Sequence, residues 1–392
     1  MRTALEILLW LTAALIVWTQ LGYALALAAV TRLFGRPSAP TPARAPTLAP
    51  AEPLRLLSLI VAAHNEESVI AAKVANALAL DYPRELLEVI VACDGCLDAT
   101  AERARAAGAD LVLELPRGGK IRAQDAAVAR ARGALVAFSD ANALWETAAL
   151  RALVAAFADL SVGYACGQVR FVQPARGAAA TNQEGVYWRY EMAVRGMESR
   201  LSSITAGNGA IYATRRESYL VVDPIMGHDL SFPFNMVKRG WRAVYVPGAR
   251  ASEKMVPSIE GELARKRRMM SHTWPIVLRG GMLSPRGYPP GYALMILSHR
   301  VLRYATPFLH ALALFANIAL VAIGVRPHAL YAATLAIQLA LLAAAGLGGV
   351  WRARPLLVCR YYVLTTASLA LGLWDWLRRG TSATWVAAEG TR

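Results

Sequence analysis

Asp94-Gly95, Gly119-Lys120, Asp140-Ala141-Asn142 and His228-Asp229 string carboxylates, glycines and one lysine along a single polar block of the chain. Carboxylates accept hydrogen bonds and protons, and a neighbouring glycine lets backbone and ligand approach closely. A glycine turn ending in lysine offers N–H groups and a positive charge to a phosphate. Arg117-Gly118-Gly119-Lys120 has that form without the spacing of an ATP-hydrolysing Walker loop. Each spot alone is an ordinary polar turn; their order, and the elements they follow, make them a candidate site.

Those elements alternate. Residues 56–62 form a continuous apolar run, as a strand buried on both faces does. A helix over 68–80, a strand over 87–92, a helix over 98–107, a strand over 109–113, a helix over 121–131 and a strand over 134–139 follow. This pattern predicts an open, mostly parallel, Rossmann-like α/β sheet with helices on both faces. Ligands of such sheets bind at the carboxyl ends of the strands. His64-Asn65-Glu66-Glu67, Asp94-Gly95 and Asp140-Ala141-Asn142 each stand just past a predicted strand, so they should converge on one edge.

At 392 residues and 56% hydrophobic, the chain is too apolar for an ordinary soluble enzyme. The excess sits at the two ends, which divides the chain into a membrane helix within 1–34, a proline- and alanine-rich linker over 35–53, a soluble block over 54–285, and membrane helices with a short tail over 286–392. The apolar run 5–30 exceeds the roughly 20 helical residues that cross a bilayer core. A cleaved signal peptide would be shorter and end in a small-residue cleavage site. Arg32, Arg36 and Arg44 follow the run, so the positive-inside rule places the soluble block in the cytoplasm, at the inner (plasma) membrane. Residues 305–323 and 328–347 read as further spans. The last run, 356–377, carries Arg360 and Asp375 and precedes Arg378-Arg379. A third span would carry those arginines outside, whereas a helix lying on the cytoplasmic face would keep them in; the sequence leaves both open.

The net charge of +15 does not mark a nucleic-acid binder, because nearly all the cations are arginines scattered through alanine-rich helices. One denser cluster, Arg265-Lys266-Arg267-Arg268, precedes the C-terminal membrane segments, where it could face lipid headgroups or a substrate diphosphate. The four cysteines suit a reducing compartment. Cys93 and Cys96 have C-x-x-C spacing, but no second pair or histidine partner follows, so neither zinc binding nor thiol exchange is expected.

Taken together, the motifs resemble the inverting family 2 glycosyltransferases with the GT-A fold, the group containing processive polysaccharide synthases and many lipid-linked sugar transferases. The resemblance covers the soluble block and the membrane layout. Ala62-Ala63-His64-Asn65-Glu66-Glu67 stands where the family has Pro-Ala-Tyr-Asn-Glu-Glu, which implies that Ala63, Asn65 and Glu66 hold the nucleobase. Asp94-Gly95-Cys96-Leu97-Asp98-Ala99-Thr100 is similar to Asp-Gly-Ser-x-Asp-x-Thr and implies Asp94 and Gly95 at uracil or ribose; Asp98 can simply cap its helix. The Gly-Lys turn of the family puts Lys120 beside the nucleotide. Asp140-Ala141-Asn142 takes the place of Asp-x-Asp, implying Asp140 at the nucleotide and Asp140 with Asn142 as ligands of a Mg²⁺ or Mn²⁺ that bridges the diphosphate.

Trp188 and Glu191 on the predicted helix Thr181–Leu201, then Gly207 and Asn208 in a glycine-rich strand entry, and His228 fall where the family borders sugar and acceptor. Gly227-His228-Asp229 looks like the acidic pair whose second member, here Asp229, is the catalytic base. Arg267 and Arg268 are assigned to the diphosphate by position and charge. The Gln-x-x-Arg-Trp of polysaccharide synthases is missing. The resemblance implies a membrane-anchored enzyme moving a sugar from a nucleotide sugar, a UDP-sugar first, to a glycan or lipid acceptor, alone or beside other synthase subunits. Two other readings compete: a non-catalytic nucleotide-binding membrane subunit, suggested by Cys93, Asn142 and His228 in place of usual residues, and a sugar nucleotidyltransferase, which would release pyrophosphate.

Overall fold

The computed structural model describes residues 1–36, 55–172, 181–254, 259–351 and 353–384. It opens with α1 (Arg2–Val17), which passes through a π-helical turn (Trp18–Gly22) into α2 (Tyr23–Phe34). Together they make one helical rod of 33 residues. The proline-rich linker expected after it lies, from residue 37 onward, outside the described residues.

The expected alternation follows: β1 (Leu57–Ala63), α3 (Ile70–Leu78), β2 (Leu87–Asp94), α4 (Thr100–Ala106), β3 (Leu111–Leu115), α5 (Lys120–Arg130) and β4 (Leu135–Asp140). β1 pairs parallel with both β2 and β4, with Ala63 opposite Cys93 and Ala62 opposite Asp140. Three strand ends therefore stand in one row. β1 is buried along its whole length because helices cover both faces of the sheet, which explains a run that is apolar but for Ser58, whose hydroxyl donates to Glu88.

The second half returns differently: β5 (Leu144–Trp145), α6 (Ala149–Ala155), β6 (Val162–Val172), α7 (Thr181–Leu201), β7 (Ile211–Arg215), α8 (His228–Lys238), β8 (Arg242–Lys254) and α9 (Ile259–Leu278). The sheet order is β3-β2-β1-β4-β7-β6-β8-β5. β7 runs antiparallel to β4, with Ile211 opposite Ser139. The loop that leads into β7 consequently lies at the carboxyl end of β4, beside Asp140. One face of the sheet packs Leu57, Leu59, Val89, Trp145 and Leu150; the other packs Ile60, Ile90, Phe138, Tyr212 and Phe232.

Beyond the sheet come α10 (Pro290–Met295), a π-helical turn (Ile296–Val301), α11 (Leu302–Ala322), α12 (His328–Leu347) and α13 (Arg354–Arg379). Four helical stretches, Arg2–Phe34, Pro290–Ala322, His328–Leu347 and Arg354–Arg379, are long and apolar enough to cross a membrane. The Arg2 guanidinium bonds the Arg326 carbonyl, so the start of α1 sits by the turn between α11 and α12. At the other end Trp18 Nε1 donates to Ser298 Oγ. α13 crosses α9: Trp274 Nε1 donates to the Leu369 carbonyl, and Gly372 lies against Met270.

Candidate active site

The cleft edge is built first from backbone ties between the loops that follow β1 and β2. His64 Nδ1–H donates to the Asp94 carbonyl at 2.7 Å, since a carbonyl can only accept. Asn65, with φ of +53°, accepts from Leu97 N through its side chain, and the Ala63 carbonyl accepts from the Cys96 thiol. Glu66 N donates to Thr100 Oγ1, and Asp98 accepts from Glu67 N and Thr100 N. Asp98 thus ties down the start of α4, as expected of a residue that caps its helix.

Asp94 is 1% exposed, and its carboxylate is already engaged. It accepts from Arg117 Nη1 at 2.8 Å, Gly118 N at 2.6 Å and Gly119 N at 3.0 Å. This corrects two expectations together. Asp94 serves as the clamp that shapes the Arg117–Lys120 turn, and the glycine N–H groups expected at a phosphate point to Asp94 instead. Gly95 follows, its N–H donating to the Leu115 carbonyl at 2.8 Å.

The clamp aims Lys120, the first residue of α5, into the cleft. Its ammonium pairs with Asp140 and lies 3.5 Å from the Gly209 carbonyl. Burial alone would lower the Lys120 ammonium, but Asp140 first, then Asp229 and Glu253, outweigh it and hold it above its ordinary value. Lys120 is thus the point on which the carboxylates of Asp140, Asp229 and Glu253 bear. Asp229 reaches this place through the loop before β7, because Gly207 N donates to the Asp229 carbonyl at 2.6 Å. Only glycine fits there: a Cβ on Gly207 would stand 1.9 Å from the Tyr164 hydroxyl. Asn208 shapes the same loop, donating to the Gly167 carbonyl and accepting from Ala210 N.

Asp140 is one-third exposed and Asn142 half-buried in the same short loop. They are two hard oxygen donors, and the described residues contain no cluster of three or more His, Cys, Asp or Glu side chains that could hold a metal. That donor set fits Mg²⁺ or Mn²⁺ bound through one or two protein oxygens, with phosphate and water completing the shell. It does not fit a cation caged by protein alone.

Several predicted residues stand elsewhere. His228 is 2% exposed, stacked on Phe232 and bonded through Nδ1 to the Tyr212 hydroxyl at 2.8 Å. It belongs to the core and is not presented to a sugar. Burial, with Lys120 adding to it, holds it well below its ordinary value. Trp188 donates from Nε1 to the Val169 carbonyl and packs on the core. Glu191 is buried among Arg303, His299 and Arg300. Burial would raise its carboxyl, but Arg303 and His299 hold it well below the usual range. Glu191 is thus not free to meet an acceptor as predicted, while Trp188 is half-buried with its indole N–H engaged. Arg267 forms a two-bond pair with Asp375 of α13, at 2.5 and 2.7 Å, so it braces two helices instead of meeting a diphosphate. Arg268 is exposed on the same helix.

Two features escaped the sequence reading. Lys73 is fully buried in α3 behind the Asp140–Asn142 loop. Its signal was available, since Ile70, Lys73, Val74 and Ala77 share one helical face. The other is the segment after α13. Thr381 Oγ1 donates to the Ser271 carbonyl, His272 Nε2 bonds the Ser382 carbonyl, and a Cβ on Gly119 would stand 2.1 Å from the Ala383 carbonyl oxygen. Residues 381–383 therefore lie against the turn that carries Lys120 and the neighbouring part of α9.

The family described as glycosyltransferase-like family 2 matches residues 53–271. A mannosyltransferase from Pyrobaculum calidifontis, solved in complex with GDP-Man and Mn²⁺, superposes over 95% of this chain and 99% of its own with a TM-score of 0.69 at 22% identity. At that identity the likeness shows the fold, GT-A. Glucosyl-3-phosphoglycerate synthase from Mycobacterium tuberculosis overlaps 63% of this chain and 87% of its own, with 20% identity and a TM-score of 0.41, too low to carry an argument. No curated protein matches the chain significantly.

Proposed function

The chain belongs to glycosyltransferase-like family 2, and from that premise we propose a membrane-anchored inverting transferase that moves a sugar from a nucleotide-sugar donor to a glycan or lipid acceptor at the cytoplasmic membrane face. The observation that carries this reading is the gathering of Asp140, Lys120 and Asp229 at one sheet edge, between the carboxyl end of β4 and the start of α8. Asp229 is half-buried in the first turn of α8. In this proposal it takes the proton of the acceptor hydroxyl as that oxygen attacks the anomeric carbon and the bond to the nucleoside diphosphate breaks. Lys120 holds its positive charge on the leaving-group side of the cleft. A divalent cation held by Asp140 and Asn142 would neutralise the charge that builds on the departing diphosphate. Asn65, exposed and fixed by the ties between the β1 and β2 loops, offers the surface on which a base would lie, and the predicted Ala63 and Glu66 are buried behind it.

We take the donor as a UDP-sugar from the sequence motifs; the mannosyltransferase of the same fold is in complex with GDP-Man, so both nucleotides belong in the test. The membrane orientation rests on two supports. Arginines follow the first helix. α13 packs on α9, and its end bonds Ser271 and His272 beside the cleft. With both features on one side, α13 lies along the cytoplasmic face instead of crossing.

Nucleotide release by the detergent-solubilised chain, against a panel of UDP- and GDP-sugars with Mn²⁺, Mg²⁺ or chelator, tests the proposal. Release should depend on one donor, on metal and on Asp229. Asp229→Asn should lower turnover by about 10²–10⁴-fold while nucleotide binding survives. Wild-type turnover in that variant would remove Asp229 from the mechanism.

A further inference from the structure

We propose that Lys73 and Asn76, on the buried face of α3, are positioning residues that set the Asp140–Trp145 loop for cation binding. The inference rests on the reading of Asp140 and Asn142 as the cation-holding pair.

The loop has few backbone ties of its own. Ala143 N reaches back to the Asp140 carbonyl at 3.2 Å, and the next residue begins the short strand β5. Leu144 and Trp145 pair with Ser252 and Ala251 of β8, and the remaining hold comes from behind. Lys73 Nζ donates to the Ala143 carbonyl at 2.7 Å, one residue past Asn142, and stands 5.0 Å over the Trp145 ring. Asn76 bonds both backbone groups of Trp145: Oδ1 accepts from Trp145 N at 2.8 Å, and Nδ2 donates to the Trp145 carbonyl at 2.9 Å. Trp145 Nε1 in turn donates to the Ala210 carbonyl at 3.1 Å, on the loop that touches Asp229 through Gly207. One helix face thus holds the carbonyl beside Asn142 and carries that hold across to the loop bearing on the opposite carboxylate.

A purely structural role does not call for an ammonium here. Lysine is almost never fully buried without a compensating group, yet Lys73 is 0% exposed on a face otherwise made of Ile70, Val74 and Ala77. Burial pulls its pKa to about 7, and Asp140 and Glu253 are the charges that pull it back. Lys120 faces Asp140 from the front. Lys73 thus stands behind the Asp140–Asn142 loop and Lys120 in front of it, and of the two only Lys73 is tied to the loop backbone.

Residues behind a metal site that orient its ligands typically change metal affinity about 10–100-fold when replaced. The experiment is Mn²⁺ binding to the full-length chain in detergent, read from the electron paramagnetic resonance of free Mn²⁺, with UDP and with GDP present. Nucleotide affinity without metal and the thermal midpoint are measured alongside. Lys73→Met, similar in length without a donor, and Asn76→Ala should each weaken Mn²⁺ binding by about tenfold or more. Nucleotide affinity without metal should stay near wild type, a split that mere loss of stability would not produce. If Lys73→Met does not fold, Asn76→Ala carries the test. Wild-type Mn²⁺ affinity in the folded variants would overturn the inference alone. Absence of Mn²⁺ binding in the wild-type chain would overturn the cation reading itself, and the inference with it.

Discussion

Replacing Asp94 by asparagine takes one charge and one acceptor from a point where three donors meet. The Arg117 guanidinium, Gly118 N and Gly119 N all end on this carboxylate. Breaking a buried ion pair by removing one partner costs about 3–5 kcal/mol, because the other charge is stranded. Arg117, however, is 28% exposed and can recover water, and the amide keeps one oxygen for a glycine N–H. The expected loss is accordingly smaller, about 2–3 kcal/mol, mostly the charge-assisted bonds. For a domain of this size about 1 kcal/mol lowers the midpoint by roughly 2–4 °C, so Asp94→Asn should melt roughly 5–10 °C below wild type. Tryptophan fluorescence of the solubilised chain during heating reads the midpoint, and a nucleoside diphosphate titration below it reads the site. Both should fall, because the freed turn no longer aims Lys120. An unchanged midpoint with lost nucleotide affinity would refute the clamp and return Asp94 to the nucleobase contact that the family resemblance implies.

Two further outcomes are expected. His228 enters the folded state neutral, held well below its ordinary value by burial, whereas in the unfolded chain it titrates near pH 6.5. Below that pH the unfolded chain binds the extra proton, so stability drops as pH falls, by up to about 1.4 kcal/mol per pH unit, and nothing is lost at pH 7.5. The midpoint between pH 7.5 and 5.5 should fall more steeply for wild type than for His228→Asn; equal slopes would contradict the neutral core assignment. A tag fused after Arg392 should be reached by an impermeant label only after cells are permeabilised, and labelling in intact cells would mean that α13 crosses the bilayer.

The row of strand ends was legible because its cause is local. Apart from Ser58 and Glu88, residues 56–62 and 87–92 are apolar on both faces, and a polar turn after each can only fall at the sheet edge. What followed Asp140 was less legible, since the antiparallel entry of β7 depends on pairing Ser139 with Ile211 across a long stretch of chain. Side-chain partners were hardest to foresee. Asp94 and Asp140 stand in similar turns after similar strands, yet only Asp94 meets two glycine N–H groups and an arginine. His228 and Asp229 are neighbours in a motif but opposed in space, because successive helical residues point about 100° apart. One turns to Phe232 and the other to the cleft. Glu191 and Arg267 had the charge for a substrate role; α11 and α13 supply residues that satisfy them first.

The rod formed by α1, its π-helical turn and α2 has a mechanical consequence. Its 33 residues span about 50 Å, while a bilayer core is about 30 Å thick, so in the membrane-anchored arrangement proposed above roughly 20 Å would stand clear of the lipid. That projecting length is fastened to the enzyme: Arg36 N donates to the Arg200 carbonyl, Arg200 Nε donates back to the Arg36 carbonyl, and the Tyr23 hydroxyl donates to Glu198. The rod is a stilt of set height. In that arrangement it would keep the cleft at one altitude over the lipid and remove most of the tumbling a flexible tether would allow. An acceptor anchored in the same sheet of lipid then arrives by sliding in two dimensions, at a local concentration set by the membrane and not by the volume of the cell.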